Sequence, residues 1–249
     1  MDGLRRFDGF FPLYWDEGTG ALYLEIPKLD TEVLWVTGVG AGMGSNDIGI
    51  DRAQLGGTHV VSFQRVGTKI LIVEPNYDYR AVSQNPLERK AVEDAFAKSV
   101  LWGFTAIAET SGHVVVDLGD FLMRDTSSLA SRLAPATYRF DRTRSAVYLP
   151  NTKAFPKNTE IEVTSTLVSD GGGGGRGGGG GGGGRGGGGG AQIGGTIGDV
   201  VPSAEAMTVR QHHSFIELPD ANYKPRKFDA RSGYGAMFSK AVFRLRQSR

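Results

Sequence analysis

The sequence predicts an α+β fold that is rich in strands, with a mostly antiparallel sheet and about two helices. Short β-branched runs bounded by Gly, Pro, Asn or Asp dominate the first third of the 249 residues, which is typical of strands. Only two segments have a helical pattern, and extended patterns return after Pro135. Strands grouped around few helices favour α+β over a doubly wound parallel sheet.

Four strands are predicted in the first third of the chain. Their residues alternate in polarity or are β-branched, and turn-forming residues bound each run. The predicted strands are Ala21–Ile26, Val33–Val36, His59–Phe63 and Lys69–Glu74.

The first predicted helix follows Asn85. Asn85 can cap this helix, Pro86 suits its first position, and Glu88 completes a capping-box arrangement. Apolar residues of the helix recur at a spacing that places them on one stripe. They are Leu87, Ala91, Val92, Ala95, Phe96 and Val100.

A hairpin, a second helix and two further strands are predicted next. The hairpin strands Phe104–Glu109 and His113–Leu118 flank Gly112, and Phe121–Leu133 has a helical pattern. Extended patterns then return at Ser145–Leu149 and Glu160–Val168. The second of these alternates with period two, with Ile161, Val163 and Leu167 against Glu160, Glu162 and Thr166.

A glycine tract divides the chain. Of its 38 glycines, 18 lie between Gly171 and Gly190, and a coil of this length spans about 25 Å root-mean-square. We therefore predict a strand-rich α+β domain over 1–170 and a disordered, flexible poly-Gly linker over 171–190. Residues 191–249 contain a strand at Met207–Leu218 and a basic tail. They either complete the same domain or lead to another one.

Composition excludes several functional classes. The net charge of +1 argues against a nucleic-acid binder. The absence of cysteine excludes disulfides, thiolate metal sites and cysteine nucleophiles. Because the longest aliphatic run is Ile70–Val73, no membrane span is expected. The first residues contain no signal-peptide pattern.

The sequence does not contain the motifs of known catalytic or nucleotide-binding sites. The glycines of Val36–Gly44 lack the spacing of a dinucleotide-binding loop, so a structural turn is the favoured interpretation. Neither Gly-x-Ser-x-Gly nor His-Glu-x-x-His occurs. We therefore predict no catalytic residue and no cofactor-binding residue in this chain. Glu160 and Glu162 are interpreted as a solvated strand face rather than as a glycosidase acid and base.

The four histidines do not form a predicted metal site. His212 and His213 are adjacent on a strand, so their side chains point to opposite faces and one metal ion could not easily bind both. His59 and His113 are isolated, and we interpret them as hydrogen-bonded structural residues. Zinc sites generally need three or four ligands, so no metal ligand is assigned.

Several strings together resemble the N-terminal region of a bacterial family of large zinc-dependent metalloproteases. The strings are residues 9–16, 49–56, 66–76, 211–215, 218–220 and 227–234, and the resemblance extends over nearly the whole chain outside the glycine tract. In that family an uncharacterised accessory region precedes a metzincin-like domain with the zinc signature His-Glu-x-x-His-x-x-Gly-x-x-His. In such a domain histidines hold the zinc ion and the Glu accepts a proton from the bound water.

The resemblance implies a non-catalytic N-terminal accessory domain, present here as a fragment, whose partner is a C-terminal protease domain that this chain lacks. Zinc is expected in that missing domain, the substrate would be a peptide or protein, and the family context implies export. Candidate residues for contact with the missing domain are His212, His213, Phe228, Asp229, Arg231 and Tyr234.

A stand-alone binding module is the alternative. Residues 223–249 contain eight Lys or Arg residues and one acidic residue, which gives a net charge of +7, whereas the preceding 222 residues carry −6. Such a tail could bind an acidic partner through interactions that salt would weaken.

Overall fold

A computed structural model of the chain describes residues 3–44, 48–169, 197–220, 222–224, 231 and 242–243. These residues form a curled antiparallel sheet of twelve strands, a half-barrel, and a separate pair of short strands. The strands are β1 (Arg5–Phe7), β2 (Leu13–Trp15), β3 (Leu22–Ile26), β4 (Glu32–Ala41), β5 (Leu55–Val66), β6 (Lys69–Glu74), β7 (Arg80–Ala81), β8 (Ser99–Thr110), β9 (His113–Asp117), β10 (Tyr138–Val147), β11 (Lys153–Phe155), β12 (Asn158–Ser169), β13 (Ala206–Glu217) and β14 (Val242–Phe243).

The order of strands across the large sheet is β1-β2-β3-β9-β8-β6-β5-β4-β13-β12-β10, and β11 also pairs with β12. The predicted strands within β3, β4, β5, β6 and β9 are confirmed, as is the period-two strand β12. β13 lies between β4 and β12, although the glycine tract separates it from both in sequence. The predicted linker 171–190 lies outside the described residues.

The two ends of the sheet meet because the sheet curls. The Phe10 N–H donates to the Phe155 carbonyl at 2.7 Å, which joins the β1–β2 connection to β11. Thr159 of β12 adds two hydrogen bonds through its Oγ1, accepting from the Phe11 N–H and donating to the Phe11 carbonyl. These two segments of the chain approach so closely that a Cβ on Gly9 would lie 2.6 Å from the Cβ of Ala154. Gly9 therefore permits the curl.

The inner face of the half-barrel holds the main core. Aromatic rings pack at its centre, where Trp35 lies 5.3 Å from Phe121 and 6.2 Å from Phe215 between ring centroids. Both phenylalanines are fully buried. Aliphatic side chains of β3, β5, β6, β9 and β12 surround them. Burial of this apolar surface is the main favourable contribution to folding.

The helices differ from the prediction. The described residues contain four α-helices rather than about two, namely α1 (Pro86–Ala95), α2 (Gly119–Leu122), α3 (Leu129–Arg132) and α4 (Ile197–Val200), and a 3₁₀ turn at Leu149–Asn151. Three of these are single turns, so the fold is mostly β. None of the helices described is both long and apolar enough to cross a membrane.

The predicted helix over Phe121–Leu133 was wrong in its length. It is divided into α2 and α3 because the backbone of Ser128, the N-cap of α3, is left-handed (φ 52°), and Asp125 binds the first free N–H groups of α3. The Asp125 carboxylate accepts hydrogen bonds from the Leu129 and Ala130 N–H groups, both at 2.8 Å. Side-chain capping of this kind starts a new helix rather than continuing an old one.

The prediction of α1 is confirmed at its start. The Asn85 side chain accepts a hydrogen bond from the Leu87 N–H at 3.0 Å, and Pro86 opens the helix. No residue of α1 is buried, and Leu87 is 76% exposed. The apolar stripe of this helix is therefore not part of the sheet core.

The glycine-rich segment predicted as a turn lies instead largely in β4. A Cβ on Gly42 would lie 2.1 Å from the Ile50 carbonyl oxygen, and one on Gly38 would lie 2.9 Å from that of Gln54. The Val39 N–H donates to the Gln54 carbonyl at 2.9 Å. The glycines let the chain before β5 cross β4 at backbone contact distance, which is a structural role.

Candidate functional site on the outer sheet face

The register between β12 and β13 places a row of polar side chains on the outer face of the sheet. Glu160 pairs with Ser214, and Glu162 pairs with His212. Because side chains alternate between faces, Arg210 lies on the same face as His212. We call these five residues, Glu160, Glu162, Arg210, His212 and Ser214, the outer-face cluster.

His212 lies between the two carboxylates of the cluster. Its Nε2 is 2.6 Å from Oε2 of Glu160, and its Nδ1 is 3.7 Å from Oε2 of Glu162. The Ser214 hydroxyl donates to the same Oε2 of Glu160, and the Asn158 amide donates to Oε1. Each ring nitrogen of His212 therefore faces an acceptor, which favours the imidazolium form.

Arg210 holds the other side of Glu162. Its Nε lies 2.9 Å from Oε1 of Glu162, and the Asn151 amide donates to Oε2 at 2.7 Å. The guanidinium group of Arg210 stacks over the Tyr148 ring at 4.3 Å. The Glu162 side chain is 4% exposed, whereas those of Arg210 and His212 are 29% and 31% exposed. The Glu162 carboxylate is thus buried beneath two basic side chains that reach solvent.

The electrostatics of the cluster follow from these contacts. Burial alone would raise the pKa of Glu160, but hydrogen bonds from His212, Ser214 and Asn158 outweigh it and hold the pKa below its usual range. The hydrogen bond to Glu160 raises the pKa of His212 above its usual value, against the opposing effect of burial. Both shifts favour a charged pair.

His213 lies on the inner face and is fully buried. The Trp35 Nε1–H donates to its Nδ1 at 3.4 Å, and the Thr126 hydroxyl lies 3.5 Å from its Nε2. Burial, with a smaller contribution from the positive charge of Arg124, lowers the pKa of His213 to about 3. This histidine is therefore a neutral core residue near pH 7.

Three of the predicted contact residues cannot be located relative to His212 and His213. Phe228, Asp229 and Tyr234 lie outside the described residues, and Arg231 is exposed. His213 has no exposed surface in this chain, while His212 is partly exposed. The role of these six residues in contact with another domain stays a prediction.

The two isolated histidines are hydrogen-bonded structural residues, as predicted. Nδ1 of His59 lies 3.0 Å from the Glu74 carboxylate. Nδ1 of His113 lies 2.5 Å from Oε1 of Glu25, whose other oxygen accepts a hydrogen bond from the Tyr14 hydroxyl at 2.5 Å. Burial and the bond to Glu25 raise the pKa of Tyr14 to about 12. These contacts tie β2, β3 and β9 together.

Arg210, Tyr148 and Asn151 were missed by the sequence reasoning. Arg210 precedes His212 by two residues, which places both on one strand face, and this was the available signal. Tyr148 and Asn151 come from the connection between β10 and β11. Their approach to Glu162 depends on the tertiary fold and leaves no local pattern.

The Ser214 hydroxyl and His212 both bond to Oε2 of Glu160, so the serine contacts the carboxylate rather than the imidazole. Among the residues that the structure describes, no group of three or more His, Asp or Glu side chains is arranged to hold a metal ion. The cluster is a hydrogen-bonded group of charged and polar side chains on the outer face.

Comparison with known proteins gives one match. A family model described as "Domain of unknown function (DUF5117)" matches residues 53–247. The chain belongs to this DUF5117 family. The DUF5117 match includes β5 to β13 and all five residues of the outer-face cluster. No curated protein and no solved structure matches the chain.

Proposed function

We propose that this chain is a non-catalytic accessory domain of a zinc-dependent metallopeptidase-like protein, and that its outer sheet face packs against the protease domain. The observation that carries the proposal is the bonding of the outer-face cluster. Glu160 and Glu162 are paired with His212 and Arg210 within the domain, and the side chains of His212 and Arg210 reach the surface. The resemblance of the chain to such proteins supports the class of partner.

The cluster is suited to docking because its side chains are already ordered. Arg210 is held by Glu162 on one side and by the Tyr148 ring on the other. Arginine and tyrosine are enriched at protein interfaces, and side chains that are fixed before binding lose less entropy on association. This arrangement supports an interface rather than a reacting group.

Peptide hydrolysis would take place in the protease domain rather than in this chain. Zinc would be bound by the histidines of the protease domain, and the substrate would be a peptide or protein. The part played by this chain is to pack on the protease domain, to shield it, or to present substrate to it.

Calorimetric titration of the full chain with a metallopeptidase domain from the same source, one that carries the extended zinc signature, tests the proposal. We expect saturable binding that Arg210→Ala weakens at least tenfold, because buried arginine anchors dominate many interfaces. Lys69→Ala, which removes one exposed positive charge from β6, is the matched control and should bind as the wild type does. Circular dichroism would show that both variants are folded.

Two outcomes would overturn the proposal. Absence of binding, or equal affinities for wild type and Arg210→Ala, would exclude the outer face as the docking surface. Hydrolysis of peptides by the purified chain alone, abolished by a chelator and restored by zinc, would show that the chain is itself catalytic.

A further inference from the structure

The first half of strand β8 is paired on one side only. Its residues 99–105 pair with β6, whereas its pairing with β9 begins at Ala106, opposite Val116. β9 ends at Asp117, and no other described strand adjoins this side of β8. Residues 99–105 therefore form an open strand edge.

Gly103 and Thr105 direct their backbone N–H groups to the open side of β8. The Ala106 N–H donates to the Thr68 carbonyl at 2.8 Å, which is on the β6 side. In an antiparallel sheet the N–H groups of successive residues point to alternate neighbours. The N–H groups of Phe104 and Ala106 therefore share the β6 side, and those of Gly103 and Thr105 face the open side. Both of these residues are exposed.

A cavity of about 250 Å³ lies along this edge. Four successive residues of β8, from Trp102 to Thr105, line it. Because successive side chains point to opposite faces of a sheet, four residues in a row border one cavity when that cavity runs along the backbone edge. The cavity therefore offers backbone groups of β8 to a ligand, and not side chains alone.

The open edge lacks residues that protect sheet edges from association. Residues 99–107 contain neither a charged residue nor a proline, and Val100 and Ile107 are 54% and 50% exposed. Edges of natural sheets are usually protected by charges, by proline or by a covering element. An edge of this composition is suited to pairing with an added strand.

The rest of the cavity wall carries charged side chains. Asp117, Asp120 and Arg142 line it together with Gly119. Arg142 forms an ion pair with Asp120. The Asp117 carboxylate accepts a hydrogen bond from the Gly119 N–H at 2.7 Å, but it has no ion-pair partner among the described residues. Because this carboxylate is exposed, it favours a ligand with a basic side chain.

We propose that the open edge of β8 binds an extended peptide segment of another protein, which adds a strand in line with β9 and places a basic side chain beside Asp117. Backbone hydrogen bonds with Gly103 and Thr105 give the affinity, and the charge of Asp117 gives selectivity. β6, β5 and β4 lie between β8 and β13. This site is therefore distinct from the outer-face cluster, and the inference goes beyond the docking proposed above.

Fluorescence anisotropy of a labelled, end-blocked peptide with the sequence Val-Thr-Val-Lys-Val-Thr, titrated with the full chain, tests the proposal. We expect saturable binding that Thr105→Pro weakens at least tenfold, because proline removes the N–H on the open side and leaves the pairing with β6 in place. Thr105→Ala keeps this N–H and should bind as the wild type does. Circular dichroism would show that both variants are folded. Replacement of the peptide Lys by Glu should weaken binding about threefold.

Amide hydrogen exchange followed by NMR gives a second measurement, made on the unaltered chain. The peptide should slow exchange at Gly103 and Thr105 at least tenfold and leave Phe104 and Ala106 unchanged, since the N–H groups of the latter two already face β6.

Four outcomes would overturn the proposal. Three are absence of saturable binding, equal affinities of the wild type and Thr105→Pro for the peptide, and unchanged exchange at Gly103 and Thr105. The fourth is a dimer of the chain that Thr105→Pro abolishes, which would show that a second copy pairs with the edge. Equal affinities for the Lys and Glu peptides would overturn the assignment of a basic ligand.

Discussion

The two faces of β13 give their polar side chains different hydrogen-bond partners. On the inner face His213 is fully buried and accepts a hydrogen bond from the Trp35 indole N–H. On the outer face His212 bonds the Glu160 carboxylate. An indole N–H needs a lone pair on the imidazole, whereas a carboxylate needs an N–H. The partners on each face therefore shift the pKa values of these adjacent histidines in opposite directions, upward for His212 and downward for His213.

The largest expected effect is a loss of stability when the packing of the inner face is disrupted. Phe215→Ala removes a fully buried ring from the inner face and should lower the free energy of unfolding by about 3–5 kcal/mol. The matched control is Phe155→Ala on β11, where the ring is 43% exposed, and the loss should be below about 1 kcal/mol. Urea denaturation measures both, and similar losses at the two positions would contradict the comparison.

The acid sensitivity of the inner face is the next largest effect. Unfolded His213 binds a proton below about pH 6.5, but the folded residue does so only near pH 3. The unfolded state therefore binds more protons in this window, and stability should fall by about 1.4 kcal/mol for each pH unit below 6.5. His213→Leu should remove this part of the slope between pH 6.5 and pH 5. Parallel stability curves for the variant and wild type would refute the assignment.

Breaking the ion pair between Glu162 and Arg210 on the outer face should lower the free energy of unfolding by a smaller amount. Glu162→Ala leaves Arg210 without its ion-pair partner and Asn151 without its acceptor, and should lower stability by about 1–3 kcal/mol. Arg210 can turn to solvent because its side chain is 29% exposed, which limits the loss. A double-mutant cycle with Arg210→Ala should give a coupling of at least about 0.5 kcal/mol. Strict additivity of the two single changes would mean that the pair contributes nothing.

The smallest expected effect is the contribution of His212 to stability, and its pH dependence is opposite to that of His213. The pKa of folded His212 is raised, so its contribution is fully present below pH 6.5 and is lost as the pH rises through the folded pKa. The stability difference between wild type and His212→Gln should be at most about 1 kcal/mol, because the site is partly exposed, and should shrink above neutral pH. Unfolding measured at pH 6 and pH 9 tests this, and a difference that grows with pH would refute it.

Sequence reasoning identified the strands and the faces of β12 well because a period of two is a local property. It placed Glu160 and Glu162 on one face, and the structure has them there. It interpreted that face as solvated, whereas Glu162 is 4% exposed. The burial comes from Tyr148, Asn151 and Arg210, which lie on other elements. No pattern within β12 could show it.

The helices also show that a local pattern predicts an element but not its tertiary contacts. Asn85 and Pro86 fixed the start of α1, since capping depends on neighbouring residues alone. The segment 121–133 has a helical pattern, yet Asp125 captures the N–H groups of Leu129 and Ala130 and divides it. The apolar stripe of α1 predicted an amphipathic helix, but the pattern alone did not show that the sheet would leave the stripe uncovered.

What the sequence determined by itself was local: where strands form, which residues alternate, where α1 starts, and that no cysteine chemistry is possible. The tertiary structure decided which strands became neighbours. β13 follows the glycine tract and still enters the sheet between β4 and β12. That placement brings His212 to two carboxylates and His213 to Trp35. Pairing between strands distant in sequence depends on burial and register across the whole sheet, and these are not encoded in any single segment.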